Sequence, residues 1–230
     1  MPTALYRVIV ALLLLLPLAA HADDASDFAA ANNAQQAQLL ESWAAQPAPA
    51  RIELINSLQQ GQVTVDGQVK TLRLNNRLRG LIDTALASHQ LLAADPKLRL
   101  SAAQQLQKSA KPAQLNFLDQ QLAAEKDSDV HSALSLALAN LQLVDPNPAV
   151  RLAAVRLLGE TGEPLARTRL ENLLQPGVET DASVHTAAET SLVQIKRKLL
   201  IGDLLGQAFS GLSLGSILLL AALGLAITFG

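Results

Sequence analysis

Four histidines are the side chains best suited to chemistry near neutral pH: His21, His89, His131 and His185. An imidazole can ligate a metal or carry a proton, and either use needs partners at fixed spacing. No histidine pair stands at i,i+4 beside a glutamate, so there is no zinc-protease helix. His21 falls in a segment expected to be removed, and His89 ends an expected helix. His131 and His185 take the position that Arg151 holds in a repeated segment, which places them on a solvated helix face. The carboxylates are scattered singly at helix starts, where capping accounts for them. Serine, histidine and aspartate are not spaced as a triad. Gly159-Glu160-Thr161-Gly162 is no phosphate loop and reads as a helix end, with glycine in its C-terminal role. Cysteine is absent, which removes thiolate metal sites and a cysteine nucleophile. These residues point to no catalytic, cofactor-binding or metal site, and so to no enzyme.

The elements that would position any site are more informative. The 230 residues carry 18 Lys and Arg against 20 Asp and Glu, a net charge of -2. A nucleic-acid binder needs a basic face that this balance does not supply. Aromatic residues are 3% of the chain, too few for a base-stacking platform, while Ala and Leu suit closely packed helices.

Both ends are apolar. Arg7, the run Val8 to Leu16, Pro17 and the small residues Ala20 and Ala22 read as a signal peptide, residues 1–22, cleaved before Asp23. The run is too short for a stable span. Leu212 to Gly230 carries no charge and covers roughly 28 Å, enough for a hydrocarbon core. Gly211 and Gly215, like Gly202 and Gly206, have the small-xxx-small spacing that admits a second helix in lipid. No polar or aromatic flank follows Gly230, so the span is expected to belong to a longer protein. Lys196, Arg197 and Lys198 precede it, and positive charge there favours a cytoplasmic side. The signal peptide argues for the outside. It prevails, because long domains translocate largely regardless of charge and these residues lie more than a dozen positions from the apolar core.

Between the ends, residues 23–94 read as a helical region with a β-hairpin near 61–74, and 95–200 as helical repeats. A helix is expected from Ser26 to Ala45, with Leu39, Leu40 and Trp43 buried, then another from Ala50 to Gln59. Val63, Val65, Val69, Leu72 and Leu74 change period, and Asp66-Gly67 marks a turn. A two-residue loop would set Val65 opposite Gln68. A three-residue loop would set it opposite Val69, which matches the apolar face better. Arg77 to His89 is a further helix, with companion helices at Pro112 to Ala124 and Glu163 to Leu174. Four segments repeat, beginning at Asp95, Ser128, Asp145 and Asp181: a polar helix start, an aliphatic residue, Arg or His, then small residues. Leu98 to Val130 and Val150 to Val184 are steps of roughly 32 and 34 residues, as in stacked helical hairpins, whereas Val130 to Val150 is too short for a full repeat. Asp145 to Glu160 looks most like the HEAT family. The expected fold is mainly α: a HEAT-like periplasmic repeat domain with one small hairpin, followed by a single transmembrane helix, residues 201–230.

Phe209-Ser210-Gly211-Leu212-Ser213-Leu214-Gly215-Ser216 and the apolar residues through Gly230 resemble the first span of the LivH-type permeases. The nearest resemblance within that branched-chain amino acid and urea family is to the urea ABC transporter permease of the B-subunit type. That group also has a signal peptide and a long helical extension, to which Asn75-Asn76-Arg77-Leu78-Arg79 and the Asp-Pro segments are similar. The resemblance implies the N-terminal portion of an inner-membrane permease that imports urea or a similar small amide. It implies a second permease subunit, ATPase subunits that hold the ATP, and a periplasmic substrate-binding protein as partners. Members of the family continue into further spans, so no substrate-contacting residue can be carried onto this chain. A periplasmic repeat scaffold on a C-terminal anchor is the competing expectation.

Overall fold

A computed structural model describes residues 24–230; the expected signal segment, with Ala20, Ala22 and Asp23, lies outside the described residues. The described residues are mainly α, with one two-stranded hairpin and one long apolar helix at the C-terminal end. The described residues fall into two compact units that part between Leu141 and Gln142. The sequence reading places its internal boundary at Ala94/Asp95 instead. There, α4 (Asn76–Gln90) packs against α5 (Pro96–Ser109), so the first unit runs on without a break.

The first unit opens with two helices where one was expected. Residues 24–30 form α1, and α2 is Asn33–Ala45. Asn32 separates them because its side chain accepts from the amides of Ala34 and Gln35 while Gln35 accepts from the Asn32 amide. That reciprocal cap satisfies donors a continuous helix would have used internally. The two helices stay joined: Gln36 donates to the Phe28 carbonyl at 3.0 Å, and Phe28 and Trp43 pack with ring centroids 5.7 Å apart. Trp43 is buried, as its spacing predicts. A 3₁₀ turn at Pro49–Arg51 leads into α3 (Ile52–Gln59). Phe28, Leu40, Ile55, Leu58, Leu78 and Ile82 form the centre of this core.

The hairpin pairs β1 (Gln62–Val65) with β2 (Gln68–Thr71) through the two-residue loop Asp66-Gly67. Val65 faces Gln68, so the expected pairing with Val69 is corrected. Asp66 and Gly67 have φ of 53° and 74°, a turn whose twist matches the strands. One position of register decides the outcome: Val63 and Val65 reach the core, and Val69 pairs with Thr64 on the other face, 64% exposed.

From Asp95 on, the structure repeats in a longer unit than the steps of roughly 32 and 34 residues suggested. Helices α5, α6 (Leu115–Ala124) and α7 (Ser128–Gln142) correspond to α8 (Pro148–Glu160), α9 (Pro164–Leu173) and the start of α10 (Ala182–Phe229). Asp95 and Asn147 cap α5 and α8, each with proline at the first turn. Asp127 and Asp181 cap α7 and α10, so the start assigned to Ser128 belongs to the residue before it. Ala102, Ala103 and Leu106 are buried in the first module, and Ala154, Val155 and Leu158 in the second. What makes the modules equivalent is a clamp. The Arg99 guanidinium grips both Glu125 carboxylate oxygens at 2.7 and 2.8 Å and donates to the carbonyls of Ala93 and Ala94. Arg151 grips Glu179 at 2.8 Å twice and donates to the carbonyls of Asp145 and Pro146. The glutamate also accepts two backbone amides at the loop entering the next helix, Lys126 and Asp127 or Thr180 and Asp181. One side chain thereby ties together the entrances of the first and third helices of its module.

Candidate membrane-spanning helix

Asp181 starts α10 by accepting the amides of Ser183 and Val184. Val184, Ala188, Ser191 and Ile195 then recur at helical spacing and are buried against α8 and α9. The approach of α8 is close. A Cβ on Gly159 would lie 2.7 Å from Ser191 Oγ and 2.9 Å from Ser191 Cβ. Gly159 therefore sits inside α8 as a contact residue. The C-terminal role expected of it is corrected: neither Gly159 nor Gly162 has positive φ, and Thr161 ends the helix.

Two of the three basic residues thought to decorate the last turns of a soluble helix hold α10 to the module. Lys196 Nζ lies 3.4 Å from Glu171, and Lys198 Nζ donates to the Glu160 carbonyl, at the C-terminus of α8, at 2.7 Å. A cation there satisfies one of the carbonyls a helix end leaves free. The helix does not stop. It continues past residue 200, the expected domain boundary, to Phe229, and from Leu200 onward every residue is exposed. This is the one helix among the described residues long and apolar enough to cross a membrane.

The backbone is satisfied within the helix. Ser216 donates to the Leu212 carbonyl and Thr228 to the Gly224 carbonyl, so these hydroxyls also find partners four residues back. Gly211 and Gly215 lie on the exposed helix, and a Cβ at either would meet open space. Gly202 and Gly206 are alike.

The histidines divide. His89 is buried in α4, its Nδ1 2.8 Å from the Ala85 carbonyl and its Nε2 without a partner. Burial pushes its pKa below the ordinary histidine value. His131 is half-buried, and His185 lies 3.6 Å from Glu189 on an exposed face. Neither stands where Arg151 stands: the counterpart of Arg151 is Arg99, and that of His185 is His131. The four segments are therefore two pairs, one clamped by arginine and one capped by aspartate. Glu125 and Glu179 were not singled out in the sequence, and Gly159 and Lys198 were given other roles there. The similar but unequal separations of Arg99 from Glu125 and of Arg151 from Glu179, 26 and 28 residues, were the available signal for the clamps.

Among the described residues no group of three or more His, Asp or Glu side chains is placed to hold a metal ion. In the first unit a cleft of 240 Å³ lies between Glu41, Ala44, Leu81, Thr84 and the turn at Lys111–Gln114. Its buried amide, Gln114, accepts from the Lys111 amide and donates to Ser88 Oγ, so it has partners inside the chain. Within the second unit, α8, α9 and the start of α10 form a folded module, and α10 continues from it as an exposed, largely apolar helix.

No protein-family model matches this chain. No curated protein matches it either.

Proposed function

We propose that this chain is the N-terminal part of an inner-membrane ABC importer permease for urea or a similar small amide. The helical modules stand on the periplasmic side, and α10 is the first span. The observation that carries the reading is the continuity of α10, which runs from the core of a clamped module into an exposed apolar rod with open glycine sites at Gly211 and Gly215. The choice of substrate rests on the resemblance of Phe209 to Gly230 to the first span of that permease family. On this reading the glycines receive further permease helices, and the modules meet the substrate-binding protein or brace the complex. A second permease subunit completes the path, and ATP acts on partner ATPase subunits.

Uptake of labelled urea by cells tests this. Deleting residues 24–199 from the permease while keeping the span should abolish most uptake or prevent assembly. Uptake at the normal rate would leave the modules without the proposed role. A periplasmic repeat scaffold anchored by α10 is the competing reading, favoured by the two clamped modules, which are built as interaction repeats are. Cells lacking the chain would then take up urea normally.

A further inference from the structure

The exposed apolar surface of α10 begins well before Leu212. The side that packs on α8 and α9 bears Val184, Ala188, Ser191 and Ile195, and the same helical phase continues into Gly202, Gly206 and Ser213. The opposite side bears Val193, Leu200 and Leu204, and the flank between the two sides bears Ile201 and Leu205, each more than half exposed. Five large apolar residues in the stretch between the module and Leu212, counting Phe209 with the last four, have nothing over them.

We propose that a lipid bilayer covers this stretch: α10 enters the membrane at Leu200–Leu205, about two to three turns earlier than Leu212, and its module sits directly on the headgroups. Three observations support lipid over a protein partner. Asp203 is the last charged residue, so the uncharged segment begins at Leu204. Counted from there, the ~20 residues that cross a ~30 Å core are complete near Leu223. The apolar side is continuous with the exposed surface below it, on which every residue from Leu200 to Phe229 is open. Above the entry point, Lys196 and Lys198 are engaged by Glu171 and the Glu160 carbonyl, while exposed Arg197 stands one turn before Ile201, where its guanidinium can reach lipid phosphates. Asp203 and Gln207 then fall at the headgroup layer on the small, polar side of the helix.

This inference rests on the membrane-spanning reading of α10 and is independent of what is transported. The chain has no cysteine, so single-cysteine variants report one site each. The full chain carrying a fluorophore at Leu205→Cys, Leu218→Cys or Val178→Cys is reconstituted into phosphatidylcholine/phosphatidylglycerol vesicles containing lipids quencher-labelled near the headgroup or at mid-chain. Leu205→Cys should lose most of its emission to the headgroup-level quencher, Leu218→Cys to the mid-chain one, and Val178→Cys to neither. If Leu218→Cys is quenched and Leu205→Cys is not, entry lies further along and the inference fails alone. If Leu205→Cys is unquenched yet shielded from a water-soluble maleimide, a protein partner such as a second copy covers it, which also overturns the inference. If neither site is quenched, the membrane reading of α10 itself falls.

Discussion

Gly159 and Ser191 mark the closest approach of α8 to α10: a Cβ at Gly159 would stand 2.7 Å from Ser191 Oγ. The contact lies where α10 is still part of the folded module, so it sets how the projecting helix is seated. Gly159→Ala should destabilise the second unit by about 2 kcal/mol through overpacking. Adding Ser191→Gly removes the two side-chain atoms in the way and should recover part of that loss. Thermal unfolding of the two variants checks it; equal stability of Gly159→Ala and the parent would mean that the helices separate without cost.

The Arg99–Glu125 clamp should be worth more than an ordinary surface pair, because Glu125 is nearly buried and also accepts two backbone amides. Arg99→Ala leaves that carboxylate unpaired and should cost about 3 kcal/mol. Glu125→Gln keeps an amide acceptor and should cost about 1 kcal/mol. Chemical denaturation measures both. A loss from Arg99→Ala no larger than that from an exposed substitution such as Arg169→Ala would contradict the role of the clamp.

The same clamps give the fold an acid limit. The Arg99 hydrogen bond holds the Glu125 pKa down at about 2, and Arg151 lowers that of Glu179 in the same way. A carboxylate whose folded pKa is depressed contributes stability above its unfolded pKa and loses it as pH falls toward the folded one. Stability should therefore decline from about pH 4.5, the ordinary glutamate value, toward pH 2. Glu125→Gln should flatten that decline in a series of thermal melts.

His89 acts in a different window. Its folded pKa lies below the ordinary 6.5 because burial disfavours the imidazolium. The neutral ring is stable above that value, and stability is lost as pH falls below it. His89→Leu should therefore show a smaller drop in melting temperature between pH 7 and pH 5 than the parent chain. Parallel pH profiles would mean that the buried ring does not sense protons over this range.

Gly211 and Gly215 distinguish a packed span from a bare anchor. Gly211→Ile with Gly215→Ile should leave membrane insertion intact, since both positions face open space within the chain. On the transport reading proposed above, it should nevertheless abolish co-purification with the proposed permease and ATPase partners, because the close helix approach is blocked. Undiminished assembly would favour the anchored scaffold.

The sequence by itself determined much of this protein. Helical periodicity placed α4 and α9 to within a residue or two, the apolar composition of the last segment marked a helix long and apolar enough to cross a membrane, and Asp66-Gly67 marked the hairpin. These features are local, written in neighbouring residues. The break at Asn32 was local too, but its capping box lies within an otherwise helical Ala/Gln pattern that hides it. The tertiary structure alone decided which residues meet across distance. Arg99 finds Glu125, Arg151 finds Glu179, Gly159 meets Ser191 and Lys198 reaches Glu160 only once the helices are folded on one another. It also decided that Val69 faces outward and that the last repeat helix and the long apolar segment are one element. Contacts between residues far apart in the chain depend on how the helices pack, and no stretch of neighbouring residues encodes that.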